Sequence, residues 1–472
     1  MLRKIRIAAA ALFFAGITLL FVGIGHQWWG WMAKLQFLPS CMALNFAAIA
    51  FVLLLTLVFG RIYCSVICPM GVFQDLVIRV HKLLSPKGRK PKRHFIKEPR
   101  IVRYGVLALV IVTALTFSQL LLTILAPYSA YGRMVRSIVG LSRGESLAPA
   151  LLITAAATLV VICVCAWIWG RGWCNTVCPV GSVLGLVSRF SLFKVSIDQS
   201  QCVSCRKCEK GCKSSCIDID IDTHTIDHSR CVDCFDCLDS CPKGGLKFRF
   251  SLPRKAKTVP VTESVDKGRR AFMATTALVG GSLALGAQNK RLDGGLADVI
   301  DKTSPERSER LVPFGAESVK DFYDRCTACQ LCVSNCPNGV LRPSTDIGHF
   351  LQPQMGYEKG WCRPECTTCS QVCPAGAIRP LKAEEKLTHK IGTAKVNLSL
   401  CLAAKDEAGC GNCSRHCPVG AVRMVKTDGY HRSIPVVAEA QCIGCGACEY
   451  LCPARPISAI TVDGISVHIK KD

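Results

Sequence analysis

The sequence predicts an α-helical membrane domain with four spans, joined to small α+β domains that are rich in cysteine. Three observations lead to this fold class. Apolar residues are concentrated in the first 170 positions of the 472-residue chain, where they form long stretches with almost no charge. Most of the 32 cysteines lie in later runs with fixed short spacing. One further cysteine motif occurs twice within the apolar part.

Four apolar stretches are each long enough to cross about 30 Å of hydrocarbon as a helix. They comprise residues 5–25, 43–60, 101–126 and 149–170. A buried helix of a soluble protein is the alternative for any one of them. Because four such stretches occur within 170 residues, we predict a four-helix membrane domain over residues 1–190.

The distribution of Lys and Arg predicts the orientation of these spans. Residues 61–100 carry ten basic residues, whereas the loop after the first span carries only Lys34. The positive-inside rule therefore predicts a bacterial inner-membrane protein whose N-terminus, residues 61–100 and residues 191–250 lie on the cytoplasmic side. The net charge of +24 is thus interpreted as topology and contact with membrane lipid. No nucleic-acid-binding motif accompanies it, so nucleic acid is not an expected partner.

The membrane domain contains an internal repeat. The segment GRIYCSVICPMG at residues 60–71 recurs as GRGWCNTVCPVG at residues 170–181, and each copy follows a span. The domain is therefore predicted to consist of two related two-helix halves. The four thiols could bind a further metal centre, exchange electrons as thiol and disulfide, or cap the helix ends. They belong to Cys64, Cys68, Cys174 and Cys178.

Residues 191–250 contain two motifs with the spacing of bacterial two-cluster ferredoxins. Three cysteines at three-residue steps can wrap one face of a [4Fe–4S] cluster, and the fourth ligand comes from the other motif. The first cluster is assigned to Cys202, Cys205, Cys208 and Cys241, and the second to Cys212, Cys231, Cys234 and Cys237. Zinc sites usually separate two Cys-x2-Cys pairs by a longer gap.

Residues 321–472 repeat this theme four times and predict four more clusters, which makes six [4Fe–4S] clusters in all. The motifs are Cys326/Cys329/Cys332/Cys336, Cys362/Cys366/Cys369/Cys373, Cys401/Cys410/Cys413/Cys417 and Cys442/Cys445/Cys448/Cys452. Their spacing leaves open which motifs exchange fourth ligands. The exchange could join neighbours, or it could be nested, with the first motif paired to the fourth and the second to the third.

The linker of residues 251–320 contains an apolar segment at residues 269–288 that begins with two arginines, Arg269 and Arg270. This pattern is similar to a twin-arginine (Tat) signal, which is recognised by the Tat translocase. An ordinary linker helix is the alternative. An internal export signal predicts that residues 321–472 lie in the periplasm, opposite the first ferredoxin-like domain.

These parts resemble two known ferredoxin types in succession. Residues 1–250 resemble the NapH type, and residues 267–472 resemble the NapG (MauM-like) type, so the chain looks like a fusion of the two. The resemblance implies a quinol dehydrogenase that draws on the quinol pool, with a bound quinone. It also implies transfer to a periplasmic cytochrome or to a nitrate or nitrous oxide reductase. By similarity to four-cluster redox subunits, we prefer the nested pairing of motifs.

A ferredoxin-type assembly or maturation factor for a respiratory metalloenzyme is the alternative function. It would use the same clusters to reduce a metal or a thiol during biogenesis. The sequence identifies no catalytic residue. It also leaves a gap in the predicted mechanism, because both Cys-x3-Cys-Pro motifs lie on the cytoplasmic side and no complete path leads to the outer clusters.

Overall fold

The computed structural model describes residues 1–84, 100–115, 120–145, 147–219, 224–251 and 301–471. Residues 1–251 and the chain from Lys302 onward form one compact unit. We divide this unit into a helical domain (residues 1–188), a two-site domain (residues 193–250) and a four-site domain (residues 302–471). The predicted export segment with Arg269 and Arg270 lies outside the described residues.

The first half of the helical domain begins with a long apolar helix that ends at Gly23. This glycine has a left-handed backbone (φ 90°), and its N–H donates to the carbonyls of Leu19 and Leu20, which closes the helix. The helices of this half are α1 (Leu2–Val22), α2 (His26–Lys34), α3 (Phe37–Met42), α4 (Phe46–Phe59), α5 (Ile62–Val66) and α6 (Pro69–Leu84).

The second half repeats the end of the first. Its helices are α7 (Arg100–Leu115), α8 (Leu120–Leu125), α9 (Pro127–Ser142), α10 (Pro149–Trp169), α11 (Gly172–Thr176) and α12 (Pro179–Ser188). In both halves an apolar helix ends at a glycine with positive φ, Gly60 or Gly170. A five-residue helix then carries the first cysteine of the motif, and the next helix starts at the proline after the second cysteine. Proline suits this first helical position because it needs no N–H partner there.

Two of the four predicted spans are helices with the length and composition to cross a bilayer, namely α1 and α10 with 21 residues each. The predicted span at residues 43–60 contains α4, which has 14 residues. The span at residues 101–126 corresponds to α7 and α8, with residues 116–119 outside the described ranges.

The two-site domain is a small α+β unit built on two antiparallel strand pairs. Its elements are β1 (Phe193–Ile197), α13 (Lys207–Gly211), β2 (Ile217–Ile219), β3 (His224–Ile226), α14 (Asp236–Ser240) and β4 (Leu246–Phe250). β1 pairs with β4, with Val195 opposite Phe248, and β2 pairs with β3. The two short helices each follow a cysteine loop and carry cysteines themselves.

The four-site domain has the same character on a larger scale, with a core of its own. Its helices are α15 (Val319–Arg325), α16 (Leu331–Ser334), α17 (Thr368–Val372), α18 (Ala383–Lys386), α19 (Asn412–Arg415) and α20 (Ala447–Leu451), with 3₁₀ turns at Ile347–His349 and Leu398–Leu400. Its strands are β5 (Leu341–Pro343), β6 (Pro353–Met355), β7 (His389–Val396), β8 (Val422–Val425), β9 (Ile434–Val437) and β10 (Ile460–Lys470). The pairs β5/β6, β7/β10 and β8/β9 are antiparallel.

Helix α1 touches the two cysteine-rich domains at its opposite ends. Near its start, Arg3 pairs with Asp236 (2.8 Å) and Asp239 (3.1 Å) of the two-site domain. Near its end, the carbonyl of Leu20 accepts a hydrogen bond of 3.0 Å from the side-chain amide of Asn335 in the four-site domain. A helix of 21 residues is about 31 Å long, which matches the hydrocarbon thickness of a bilayer.

Candidate metal centres

The two motifs of the two-site domain exchange their fourth cysteines around two cavities. Site 1 is lined by Cys202, Cys205, Cys208 and Cys241, and site 2 by Cys212, Cys231, Cys234 and Cys237. These are the two sets of four cysteines that the sequence spacing predicts. That each set binds a cluster remains a prediction. Cys216 also lines site 2, with its sulfur 3.4 Å from that of Cys212.

The cysteine loops have a backbone shape that suits a sulfur-rich anion. In four of the six motifs, the residues on either side of the second cysteine both have positive φ. These pairs are Ser204 and Arg206, Asp233 and Phe235, Ala328 and Gln330, and Gly444 and Gly446. Left-handed residues other than glycine cost free energy, and such turns aim successive N–H groups at one point. The loops are therefore shaped to surround a cluster.

In the four-site domain, neighbouring motifs exchange their fourth cysteines, so the preferred nested pairing is wrong. One cavity is lined by the first three cysteines of the second motif together with Cys336 of the first. The reason is packing, because α16 and α17, which carry cysteines of the first two motifs, lie against each other, as do α19 and α20.

This pairing defines four sites. Site 3 comprises Cys326, Cys329, Cys332 and Cys373, and site 4 comprises Cys336, Cys362, Cys366 and Cys369. Site 5 comprises Cys417, Cys442, Cys445 and Cys448, and site 6 comprises Cys401, Cys410, Cys413 and Cys452. Burial raises the pKa of Cys413 to about 11 and that of Cys445 to about 12, with further contributions from the thiols of the same site. Metal ligation must therefore displace thiol protons.

Sites 4 and 5 are linked by direct contacts between the halves of the four-site domain. The N–H of Cys362 in site 4 donates to the carbonyl of Cys445 in site 5 over 3.0 Å. The hydroxyl of buried Tyr357 donates to the carbonyl of Gly444 over 2.6 Å. Cys410 of site 6 lines a surface depression.

The two Cys-x3-Cys-Pro motifs meet inside the helical domain, where they form the helical site. All four of its thiols, on Cys64, Cys68, Cys174 and Cys178, are buried. The N–H of Gly181 points at the sulfur of Cys178 over 3.4 Å, and the guanidinium of Arg61 lies 3.8 Å from the sulfur of Cys64. The structure therefore brings together all four thiols that the repeat singled out.

The two halves exchange arginines across the helical site. Arg61 of the first half donates to the carbonyl of Cys174 (3.3 Å), and Arg171 of the second donates to the carbonyl of Cys64 (2.7 Å). Both side chains are fully buried. The positive charge of these two guanidinium groups can offset the negative charge of metal-bound thiolates. Sequence reasoning missed both residues, although each follows the first glycine of its repeat.

One hydrophobic cluster connects the helical site with a site on either side. It contains Cys64, Cys68 and Cys178 together with Cys329 of site 3, and Cys234 of site 2 packs against it. Tyr63 and Tyr128 belong to the same cluster, and both are 2% exposed. Sites 2 and 3 therefore approach the helical site from opposite ends of the helical domain.

A large cleft lies between α1, α6 and the two-site domain. Its walls include Ile7, Ala11 and Phe14 of α1 and Leu76 of α6, and its charged end includes Lys213. This lysine follows Cys212 of site 2 and pairs with Asp75 (3.3 Å) and Asp236 (2.7 Å).

The carboxylates at this end of the cleft are held by cations. Arg171 and Arg6 also pair with Asp75. Burial alone would raise the pKa of Asp236, but Lys213 and Arg3 outweigh this effect and hold the pKa below its usual value. Asp236 is therefore an anion at neutral pH. The cleft thus joins apolar helix walls to a charged end beside site 2.

The residues present fit iron–sulfur clusters. Among the described residues, no three Cys, His, Asp or Glu side chains converge closely enough to hold a single metal ion. The cavities of sites 1, 2 and 4 are of similar size, which is what one kind of occupant requires. Their thiols, curled loops and backbone N–H groups supply the ligands and hydrogen bonds of [4Fe–4S] proteins.

Family comparisons agree with this chemistry. A family described as "4Fe-4S binding domain" matches residues 42–91 and 148–198, which contain the two Cys-x3-Cys-Pro motifs. A second "4Fe-4S binding domain" matches residues 319–342, and a "4Fe-4S dicluster domain" matches residues 408–455. The matched parts of the chain are thus similar to domains that bind [4Fe–4S] clusters.

Several curated proteins are similar to part of this chain. The ferredoxin-type protein NapH of Haemophilus influenzae is 27% identical over 176 residues, 37% of this chain and 55% of that protein. The methylamine utilization ferredoxin-type protein MauN of Methylobacillus flagellatus is 27% identical over 206 residues, 43% of this chain and 66% of that protein. An uncharacterized protein of Methanocaldococcus jannaschii is 29% identical over 196 residues, 42% and 67% respectively.

Over about two fifths of its length, the chain is therefore similar to ferredoxin-type proteins of the NapH and MauN kinds. It spans about half to two thirds of the length of these curated relatives.

Proposed function

We propose that this chain is a membrane-anchored quinol dehydrogenase component, a NapH-like part fused to a NapG-like part. It passes electrons from quinol to a periplasmic cytochrome or reductase of the nitrate or nitrous oxide type. The observation that carries this proposal is the single hydrophobic cluster that joins site 2, the helical site and site 3. Iron–sulfur clusters, when bound, accept and release one electron each.

The proposed cofactors are six [4Fe–4S] clusters at sites 1–6 and a further centre in the helical site. Two observations support this further centre. The family described as "4Fe-4S binding domain" matches both halves that contribute its thiols. The crossed arginines also supply buried positive charge beside four buried cysteines. A helical-site centre would close the gap that the sequence left between the two sides.

The proposed arrangement has the two-site domain in the cytoplasm and the four-site domain in the periplasm. The contacts of α1 with both domains, made by Arg3 and Leu20 about 26 Å apart along the helix, support it. The ten basic residues of segment 61–100 also support it, because the positive-inside rule predicts them on the cytoplasmic side, where the two-site domain is proposed to lie. A Tat-type signal in the linker suits a domain that must cross the membrane folded.

Quinol is proposed to bind in the cleft between α1 and α6. Ile7, Ala11 and Phe14 would contact the isoprenoid tail and ring, while Asp75 and Asp236 at the charged end are carboxylate anions that can accept hydrogen bonds from the quinol hydroxyls. Lys213 contacts both carboxylates and stands next to Cys212 of site 2. This chain would thus hold and orient the quinol beside a redox site.

Anaerobic reduction by a menaquinol analogue tests this function, with electron paramagnetic resonance as the readout. We expect quinol to reduce the wild type at respiratory rates. Ala11→Trp, which fills the cleft, should slow this at least about tenfold while dithionite still reduces every site. Leu12→Trp is the matched control, because Leu12 is 55% exposed and is not part of the cleft.

The other outcomes are equally decisive. Equal quinol rates in Ala11→Trp and the wild type would exclude the cleft as the quinol site. Reduction that stops after a single slow turnover would favour the alternative of a maturation factor.

A further inference from the structure

Site 1 lies beside an exposed surface that combines a small apolar edge with several cations. Among the described cysteines, Cys205 is the one with an exposed side chain. Val203, two residues before it, is 61% exposed and gives the site an apolar edge. Exposed cations surround this point, namely Arg206, Lys207, Lys210 and Lys243. We call this surface the basic rim.

The matching loop of site 2 shows what this surface is built to do. Lys207 and Asp236 each stand two residues after the second cysteine of their motif. Lys210 and Asp239 each stand two residues after the third. In site 2 both aspartates pair with Arg3 of α1, at 2.8 and 3.1 Å, and so hold the loop against a neighbouring element.

The same two positions therefore have opposite charge in the two loops. In site 2 they are anions that dock onto a cation of this chain. In site 1 they are exposed cations. The nearest anion in that loop is Glu209, which lies 3.9 Å from Arg206. By the internal symmetry of the domain, the basic rim is suited to a partner that presents carboxylates.

We propose that the basic rim docks an acidic, soluble electron-transfer protein that exchanges electrons with the chain at site 1. Complementary charge accelerates such encounters and fixes their orientation, and transient redox interfaces are small. The small apolar edge at Val203 beside Cys205 suits that kind of contact. This goes beyond quinol oxidation, because it gives the chain a second point of electron entry or exit.

Stopped-flow reduction of the cluster-loaded full chain tests the proposal, with a reduced acidic flavodoxin as the probe. Lys207→Glu with Lys210→Glu should lower the second-order rate at low ionic strength at least about tenfold. The difference should shrink in about 1 M salt, where charges are screened beyond about 3 Å. Reduced methyl viologen should reduce both proteins equally, which shows that the clusters are intact.

Two controls make the result specific. Lys207→Arg with Lys210→Arg keeps the charge and should keep the rate. Arg423→Glu with Lys426→Glu makes the same charge change at exposed positions of the four-site domain and should have little effect. An equal loss in this last variant, or no loss in the first, would overturn the basic rim as a docking surface. Quinol reduction is measured separately, so the two proposals fail independently.

Discussion

Gly71 and Gly181 close the two cysteine loops of the helical site against the main chain. A Cβ on Gly71 would lie 2.1 Å from the carbonyl oxygen of Cys64, and one on Gly181 would lie 2.1 Å from that of Cys174. Gly71→Ala must therefore displace backbone that carries a thiol. We expect it to lower the free energy of unfolding by about 1–3 kcal/mol and to remove about four of about 28 irons.

Iron content per chain and thermal unfolding measure these two effects. Gly105→Ala is the control, because a Cβ there meets nothing within 4 Å, and alanine is the better helix former by about 1 kcal/mol. A Gly71→Ala protein with unchanged iron would contradict the prediction. A wild type with about 24 irons would show that the helical site holds no four-iron cluster.

The residue scale also shows what local sequence can predict. Each motif supplies three thiols of its site at three-residue steps, and the two-cluster ferredoxin spacing takes the fourth from the other motif, so spacing grouped the thiols of sites 1 and 2. Arg61 and Arg171 act on the opposite half of the repeat, about 110 residues away. Their roles could be suspected only from their matching positions, because no local pattern links them to a partner.

At the scale of elements, Asn335 fastens the four-site domain to the end of α1. Its side-chain amide donates to the carbonyl of Leu20 (3.0 Å) and to that of Leu331 (2.9 Å), and it is buried. Asn335→Ala removes both side-chain hydrogen bonds, while the carbonyl of Leu20 keeps the N–H of Gly23 as a donor, so each lost bond costs about 0.5–1.5 kcal/mol. We expect the four-site domain to detach more readily, measured as faster release of that domain by limited proteolysis.

Thr345→Ala is the control, because Thr345 is exposed in the same domain. Release at the same rate from Asn335→Ala and the wild type would show that other contacts hold the two domains together. Loss of iron from site 4 alone would show instead that Asn335 supports its neighbour Cys336 rather than the docking.

The similarity to other four-cluster proteins led to a wrong prediction of how the four cysteine motifs pair. The spacing allowed neighbouring or nested exchange, and the nested choice came from other four-cluster proteins. In this chain the short helices of neighbouring motifs pack together, so Cys336 completes the site of the second motif. Which helix packs on which depends on side-chain contacts between elements, which cysteine spacing does not specify.

At the scale of the whole molecule, the structure supplies the connection that the sequence lacked. Tyr63, Tyr128, Cys178 and Cys329 come from four separate regions yet share one buried cluster. Apolar composition predicted that these regions are buried, but not that they meet. The described sites thus form a series: site 1, site 2, the helical site and then sites 3–6.

That series requires the four-site domain to reach the far end of α1, which provides the last prediction. Arg269→Lys with Arg270→Lys should block recognition of the twin-arginine signal, so that residues 321–472 remain in the cytoplasm. A tag fused after residue 472 should then resist protease in spheroplasts. Sites 3–6 should keep their iron, since clusters are inserted before export, but quinol should no longer reduce them.

Arg254→Lys with Lys255→Arg is the control, because it changes two basic residues of the same linker without touching the arginine pair. If the Arg269 and Arg270 variant still exposes its tag outside, the domain crosses by another route. If the wild-type tag is itself protected, both cysteine-rich domains lie on one side of the membrane. The contact between Leu20 and Asn335 would then have to form at the cytoplasmic face, and α1 could not span the bilayer between the two domains.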